Sequence, residues 1–263
     1  MKKIRASLLA LCVALGLLAI MPIMAGAATI EVGTQAELSS ALSTAASDDT
    51  IKLTADINYG THMNITSKNI SFDLNGFTLN ANAGLRVDNC KLLLADPRNG
   101  AFNVSSTGLS FIVEVFGVNA RVEITSAATA TASTAVYGNA GEIIVYGDVT
   151  QNNGSSAACG GVWVMHGRVT VEGEITVAGD AAYTKFGPNP GTNIAREEYT
   201  TPSTKEGYFT YTHGTYGSIW VKDPDYVQPP EPSRGIFGTQ PQYNKWYHYI
   251  LFFLAFGFIW MWF

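Results

Sequence analysis

Three acidic side chains near the middle of the chain have the residue type and spacing for acid–base chemistry. Asp148 and Glu174 occupy equivalent positions in two matching segments, and Glu172 lies two residues before Glu174. Two carboxylates stacked about 5 Å apart repel each other, which raises the pKa of one, as a catalytic pair requires. Such residues more often project into solvent at a corner, and no cluster of further carboxylates with a proton carrier accompanies them. We therefore predict no catalytic residues and keep these three as secondary acidic candidates.

A second constellation consists of aromatic rings and one arginine. The two matching segments belong to a sequence repeat. Counting back along this repeat places four residues at equivalent positions: Arg86, Phe116, Tyr137 and Trp163. Each follows an apolar residue, and these are Leu85, Val115, Val136 and Val162. Side chains alternate between the two faces of a strand, so rings beside an inward-facing valine point outward and stack. Two interpretations stay open: a ligand platform for sugar rings, or a structural ladder covered by a loop.

A charged series follows the aromatic one along the chain. It comprises Lys91, Arg121, Glu142 and Arg168, with one acid between two arginines. The four histidines, His62, His166, His213 and His248, lie far apart without metal-ligand spacing. The sequence contains no phosphate-binding loop, no dinucleotide fingerprint and no nucleophile elbow. We predict neither a metal nor a cofactor, and the formal charge of −5 argues against a nucleic-acid partner.

A repeat must position all of these side chains. Residues 141–150 match residues 167–176 position by position at an offset of 26 residues, and weaker copies precede them. Equivalent apolar residues are separated by 22, 30, 21 and 26 positions, and they are Ile70, Leu92, Val122, Ile143 and Val169. Short strands with Gly and Asn corners at a period of 20–30 residues are typical of a β-solenoid, whose stacked coils share one core. The alternative is an antiparallel sandwich, which does not require equivalent residues to recur in register.

Both ends of the repeat carry expected caps. Residues 29–32 form a short strand, and Thr34 with Glu37 forms a capping box that starts a helix over about residues 35–46. Near the other end, residues 207–212 and 218–222 predict a hairpin across the glycines between them. Caps are expected because the ends of a solenoid otherwise expose unpaired strand edges.

These segments resemble a known superfamily. Residues 29–57 resemble the N-terminal cap of pectate-lyase-like right-handed parallel β-helices, and residues 69–79 are similar to the first coil of that superfamily. Residues 161–176 and 207–222 resemble secreted bacterial surface proteins built on the same solenoid. The resemblance implies an all-β right-handed parallel β-helix with a short N-terminal capping helix. It implies little about activity, because enzymes, adhesins and inert stalks share this architecture.

The remaining segments set the predicted domain organisation. Residues 1–27 are predicted to form a signal peptide. They begin with a positively charged segment, continue with an apolar stretch, and end with Ala25-Gly26-Ala27, the pattern of a cleavage site. The β-helix domain is predicted over residues 28–222, a Pro-rich linker over 223–245, and an apolar membrane-associating segment over 246–263. Cys90 and Cys159 are too few for a disulfide framework, and whether they pair stays open.

We therefore expect a secreted protein of the cell surface, associated with the membrane or envelope through its C-terminal tail. The expected function is non-catalytic adhesion or glycan binding, with a polysaccharide or envelope glycan as partner. The alternative is a polysaccharide lyase or glycoside hydrolase. A groove lined by acids with a lysine or arginine would favour the enzyme, and a flat aromatic face would favour binding.

Overall fold

The structure, a computed structural model, describes residues 26–106, 108, 110–129, 134–153 and 159–228. The predicted apolar tail, almost all of the predicted signal peptide and most of the predicted linker lie outside the described residues. Within the described ranges, no helix is long and apolar enough to cross a membrane. The predicted domain boundaries stay predictions.

The described chain is an all-β parallel solenoid of about six turns, consistent with the predicted right-handed parallel β-helix. Each coil has three sides. Side I contains β1 (Thr29–Val32), β2 (Asp49–Leu53), β5 (Ile70–Asp73), β8 (Lys91–Leu94), β11 (Arg121–Ile124), β20 (Ser218–Lys222) and the second halves of β13 (Thr134–Val145) and β15 (Gly160–Val171). Side II contains β3 (Ile57–Tyr59), β6 (Thr78–Ala81), β9 (Ala101–Ser106), β12 (Ser126–Thr129), β14 (Val149–Gln151) and β16 (Ile175–Val177). Side III contains β4 (Met63–Thr66), β7 (Leu85–Asp88), β10 (Phe111–Phe116), the first halves of β13 and β15, and β17 (Ala182–Phe186).

The predicted repeat is the register of the stack on side I. Val122 pairs with Leu92 on one side and Ile143 on the other, and Val169 pairs with Ile143. Ile70 completes this column through its pairing with Leu92, and all five side chains are fully buried in the core. Because no coil can bury its own apolar residues, the stacked columns supply the driving force for folding.

Glycine corners let one coil approach the next. On the boundary between sides III and I, Gly141, Gly167 and Gly217 all have positive φ. A Cβ atom on Gly167 would lie 2.6 Å from the carbonyl oxygen of Gly141, and one on Gly217 would collide with the backbone of Gly167. Only glycine fits this corner, because its backbone conformation and its close contact both exclude a side chain.

Both ends of the stack carry added elements, as predicted. The helix α1 (Gln35–Thr44) ends two residues earlier than expected, and Thr34 Oγ1 accepts a hydrogen bond from the Glu37 N–H. Glu37 reaches back to the N–H of Gly33. At the other end, β19 (Tyr208–Thr212) pairs antiparallel with β20, which stacks on β15, and β18 (Thr192–Ile194) pairs antiparallel with β17.

The inward column gives the first prediction. Val145 and Val171 are direct neighbours across one coil step and are fully buried. Val171→Asp should lower the free energy of unfolding by several kcal/mol, because it places an unpaired carboxylate in the core. Thr176→Asp is the control, since Thr176 is exposed on the same coil. Urea unfolding checks both variants, and an unchanged midpoint for Val171→Asp would contradict the assigned register.

Candidate functional site

The three acidic candidates have different partners. Asp148 Oδ1 accepts a hydrogen bond of 2.8 Å from the main-chain N–H of Glu174, so it fastens one coil to the next. The exposed Glu174 carboxylate forms an ion pair of 2.9 Å with Arg196. Glu172 accepts a hydrogen bond from the Tyr208 hydroxyl and lies 3.5 Å from Lys222 Nζ. Each carboxylate is thus engaged separately.

Three of the four residues in the aromatic series share one column on side III. Arg86 pairs in register with Glu114, Glu114 with Tyr137, and Tyr137 with Trp163. Phe116 lies two positions further along β10, opposite Asp88 and Asn139. Its predicted equivalence with Arg86 and Tyr137 is wrong.

The displacement of Phe116 has a simple cause. From Val113 to Val122 the chain advances nine positions, whereas from Val136 to Ile143, which are their register partners, it advances seven. The two extra residues in this corner shift the backward count by two positions on this coil, while the counts that place Arg86, Tyr137 and Trp163 are unaffected. Phe116 keeps the predicted face of the strand, since a shift of two residues preserves the alternation.

The aromatic side chains nevertheless form one cluster. The rings of Tyr137 and Trp163 lie 5.6 Å apart, and those of Phe116 and Tyr137 lie 6.0 Å apart, both edge to face. Phe111 stacks on Tyr137 at 4.4 Å. The guanidinium carbon of Arg86 lies 4.3 Å from the centre of the Phe116 ring, a cation–π contact.

The rings of Tyr137 and Trp163 face away from the lumen, yet other groups cover them. Val136 and Val162 belong to the core, which confirms the predicted alternation. Tyr137 is only 8% exposed and Trp163 only 7%. The Trp163 indole N–H donates to the Gly187 carbonyl oxygen at 2.8 Å, and Lys185 Nζ lies 4.4 Å from the ring centre. Of the predicted ligand platform, only Phe116 and Arg86 remain partly exposed. Phe111, which the sequence did not predict as part of it, is also partly exposed.

Glu114 is a member of this cluster that the sequence reasoning missed. Its carboxylate lies 3.5 Å from Arg86 and is 20% exposed beside the rings. Burial raises the pKa of Glu114, and the charges of Arg86 and His62 oppose the rise. The alternation of β10 could have identified Glu114 as outward-facing, but only the register places it between Arg86 and Tyr137.

The outward face of side I carries the charged series in the predicted register. Arg121 pairs with Lys91 and Glu142, and Glu142 pairs with Arg168. The Arg121 guanidinium forms ion pairs of 2.6 Å with Glu142 and 2.8 Å with Glu123. Glu123 is buried and also accepts the Leu94 N–H, so this network joins three coils.

An open groove of about 640 Å³ lies on the same face. Its lining is polar except for one proline and one aromatic ring, and consists of Asp96, Pro97, Arg98, Thr125, Tyr146, Glu172 and Lys222. Tyr146 is partly buried against the core. Burial, assisted by the charge of Glu123, raises the pKa of Tyr146, so the phenol is neutral and can both donate and accept. We call this site the Tyr146 groove.

Among the described residues, no group of three or more His, Cys, Asp or Glu side chains could hold a metal ion. Cys90 and Cys159 are both buried and both free, so they do not pair with each other. Burial raises the pKa of the Cys90 thiol, whose Sγ lies 3.4 Å from the Ile65 carbonyl oxygen.

Comparison of the chain with protein-family profiles, with curated proteins and with solved structures found no match. The fold and the geometry of its outward faces therefore carry the functional argument.

The covered ladder gives the second prediction. Trp163→Ala should lower the free energy of unfolding by about 3–5 kcal/mol, the cost of removing a large buried aromatic side chain. Phe116→Ala should cost less, because Phe116 is partly exposed and the change leaves the Tyr137–Trp163 contact intact. Chemical denaturation of the two variants checks the order. Near-wild-type stability for Trp163→Ala would show that the ring is a surface platform.

Proposed function

We propose that the protein is a non-catalytic cell-surface β-solenoid that binds a glycan on its outward face. The Tyr146 groove is the observation that carries the proposal. It combines an aromatic ring with carboxylate, guanidinium, ammonium and hydroxyl groups on one open surface. Convergent polar groups around a partly apolar floor are the usual composition of a small-molecule site, and a sugar presents both hydroxyl groups and an apolar face.

The rigidity of the floor supports binding of an extended ligand. Thr125, Tyr146 and Glu172 come from successive coils of side I, and Lys222 comes from the coil above them. Strand spacing fixes these side chains about 4.8 Å apart from one coil to the next. Little conformational entropy is lost when a ligand binds to such a preformed row.

The state of the carboxylates favours binding over proton transfer. Glu172 is held by Tyr208 and Lys222, and Asp96 accepts the N–H of Arg98. Glu123 and Glu142 are both held by Arg121. These neighbours hold each carboxylate in a fixed position and leave it acceptor sites for the hydroxyl groups of a sugar, which suits binding.

A second candidate function is cleavage of a polysaccharide, either by elimination, as in a lyase, or by hydrolysis. A groove lined by Asp96 and Glu172 with Arg98 and Lys222 has the residue types that such a reaction needs. Lys205 lies over the Tyr208 ring at 3.8 Å, and burial lowers the pKa of its amine. A lysine with a lowered pKa is a better proton acceptor near neutral pH.

The same proposal includes three further points. The protein is related to pectate-lyase-like β-helix proteins, it is secreted, and it is attached to the membrane or envelope through its C-terminal tail. They are supported by the sequence features of the two chain ends and by the parallel solenoid itself. Arg86 and Phe116 are proposed as a secondary ligand-contact region on side III, and the covered rings of Tyr137 and Trp163 support it from within.

The Tyr146 groove gives the third prediction. In a glycan-array screen followed by calorimetry on the best ligand, Tyr146→Ala should weaken binding at least tenfold, because the stacking surface is lost. Tyr146→Phe should stay within about threefold, since it keeps the ring. Tyr199→Ala is the control for loss of an exposed tyrosine elsewhere. Unchanged binding by folded Tyr146→Ala would contradict this location of the site.

The fourth prediction separates binding from cleavage. The protein should release neither reducing ends nor unsaturated uronides from pectate, alginate or hyaluronan, because the groove carboxylates are engaged. Turnover that is lost in Glu172→Gln, with melting temperature unchanged, would establish the enzymatic candidate instead.

A further inference from the structure

The end of side II differs from the ends of the other two sides. On side III the last parallel strand, β17, has the antiparallel strand β18 on its outer edge. On side I the last parallel strand, β20, has the antiparallel strand β19 on its outer edge. Among the described strands, side II ends at β16, whose one pairing partner is β14. The outer edge of β16 lines an open groove of about 540 Å³. We call this site the β16 groove.

The register shows which main-chain groups face this groove. Val149 donates its N–H to the Glu174 carbonyl oxygen, and Ala178 donates to the Gln151 carbonyl oxygen. In a parallel strand, every second residue directs both its N–H and its C=O toward the same neighbouring strand. The main-chain groups of Glu174, Thr176 and Ala178 therefore face β14. The N–H and C=O groups of Ile175 and Val177 therefore point away from β14. Within the described part of the chain, no main-chain hydrogen bond satisfies them on that side.

Unpaired main-chain groups at a covered position are costly. Ile175 is only 2% exposed, so its main-chain groups have little access to bulk water. Buried main-chain donors and acceptors are nearly always paired in proteins. The outer edge of β16 thus has main-chain groups without a neighbouring strand, and those of the partly exposed Val177 are the ones that an added strand can reach.

The opposite wall of the groove is held in place by hydrogen bonds. The Tyr211 hydroxyl donates to the Arg196 carbonyl oxygen at 2.8 Å. Glu198 accepts the N–H of Ala195 at 2.9 Å, which closes a turn at the rim. Tyr183 and Ile194 supply the apolar surface between this wall and β16. The wall is therefore present before any ligand binds.

The charges of the lining indicate the occupant. Among the described lining residues, Glu174, Asp180 and Glu198 are acidic, and Arg196 is the one basic side chain. Arg196 is already paired with Glu174. Along β16, Ile175 is buried and Thr176 is exposed, so a neighbouring strand would also alternate between inward apolar and outward polar positions.

We propose that the β16 groove is a docking site for an extended segment of another protein, which adds as a strand beside β16. The segment carries apolar side chains at alternate positions and lysine or arginine between them. Its main chain pairs with the partly exposed edge of β16 at Val177, its apolar side chains contact Tyr183 and Ile194, and its cations face Asp180 and Glu198. This is strand addition to an open sheet edge.

The experiment uses the full chain and a probe peptide, Lys-Val-Lys-Val-Lys-amide, that carries fluorescein on its N-terminus. Fluorescence anisotropy should show saturable binding. A probe with N-methyl groups on alternate amides should bind at least tenfold more weakly, because it cannot pair with a strand edge. Val177→Pro should also weaken binding at least tenfold, whereas Val177→Ala, which keeps the amide, should stay within twofold. Asp180→Lys should weaken binding of the lysine probe and strengthen binding of a glutamate counterpart.

Several results would overturn the proposal. Equal binding of the N-methylated probe would indicate electrostatic adsorption alone, and wild-type binding by folded Val177→Pro would exclude the edge. If Val177→Pro does not fold, the N-methylated probe and Asp180→Lys still decide. Sedimentation of the wild type as a dimer that Val177→Pro dissociates would identify a second copy of this chain as the occupant, which contradicts a heterologous partner.

Discussion

Every feature of this protein depends on one constraint: each coil must lie directly on the coil before it, with its main-chain hydrogen bonds in register. The corner formed by Gly141, Gly167 and Gly217 shows how strict this is, because backbone meets backbone there with no room for a Cβ atom. Direct stacking aligns inward side chains into core columns and outward side chains into surface columns. Core and surface chemistry are thus set by the same register.

The repeat made much of this predictable. An offset of 26 residues identified Val145 and Val171 as neighbours, and the charged series Lys91, Arg121, Glu142 and Arg168 occupies one column as expected. Local signals also identified the start of α1 and the hairpin of β19 and β20. These features are local or periodic, which is the kind of information that a single sequence carries.

The misplaced or missed features depend on information that is neither local nor periodic. Phe116 was misplaced because one corner is two residues longer than its neighbours. The covering of Trp163 could not be predicted, since Gly187 and Lys185 come from the following coil and the turn beyond it. The Tyr146 groove joins residues from 96 to 222, and no spacing along the chain indicates it. Direct stacking places outward residues of adjacent coils close enough to be cross-linked. A cross-linking experiment therefore tests these placements together.

The register of outward residues can be measured with a disulfide. Neighbouring residues of adjacent parallel strands have Cα atoms about 5 Å apart, within the range that a disulfide spans. Glu142→Cys with Arg168→Cys should therefore oxidise rapidly to an intramolecular bond in the folded protein. Glu142→Cys with Thr170→Cys, which is displaced by two residues on the same face, should remain reduced. Faster oxidation of the displaced pair would contradict the stacking register, and with it the placement of the core, the Tyr146 groove and the β16 groove.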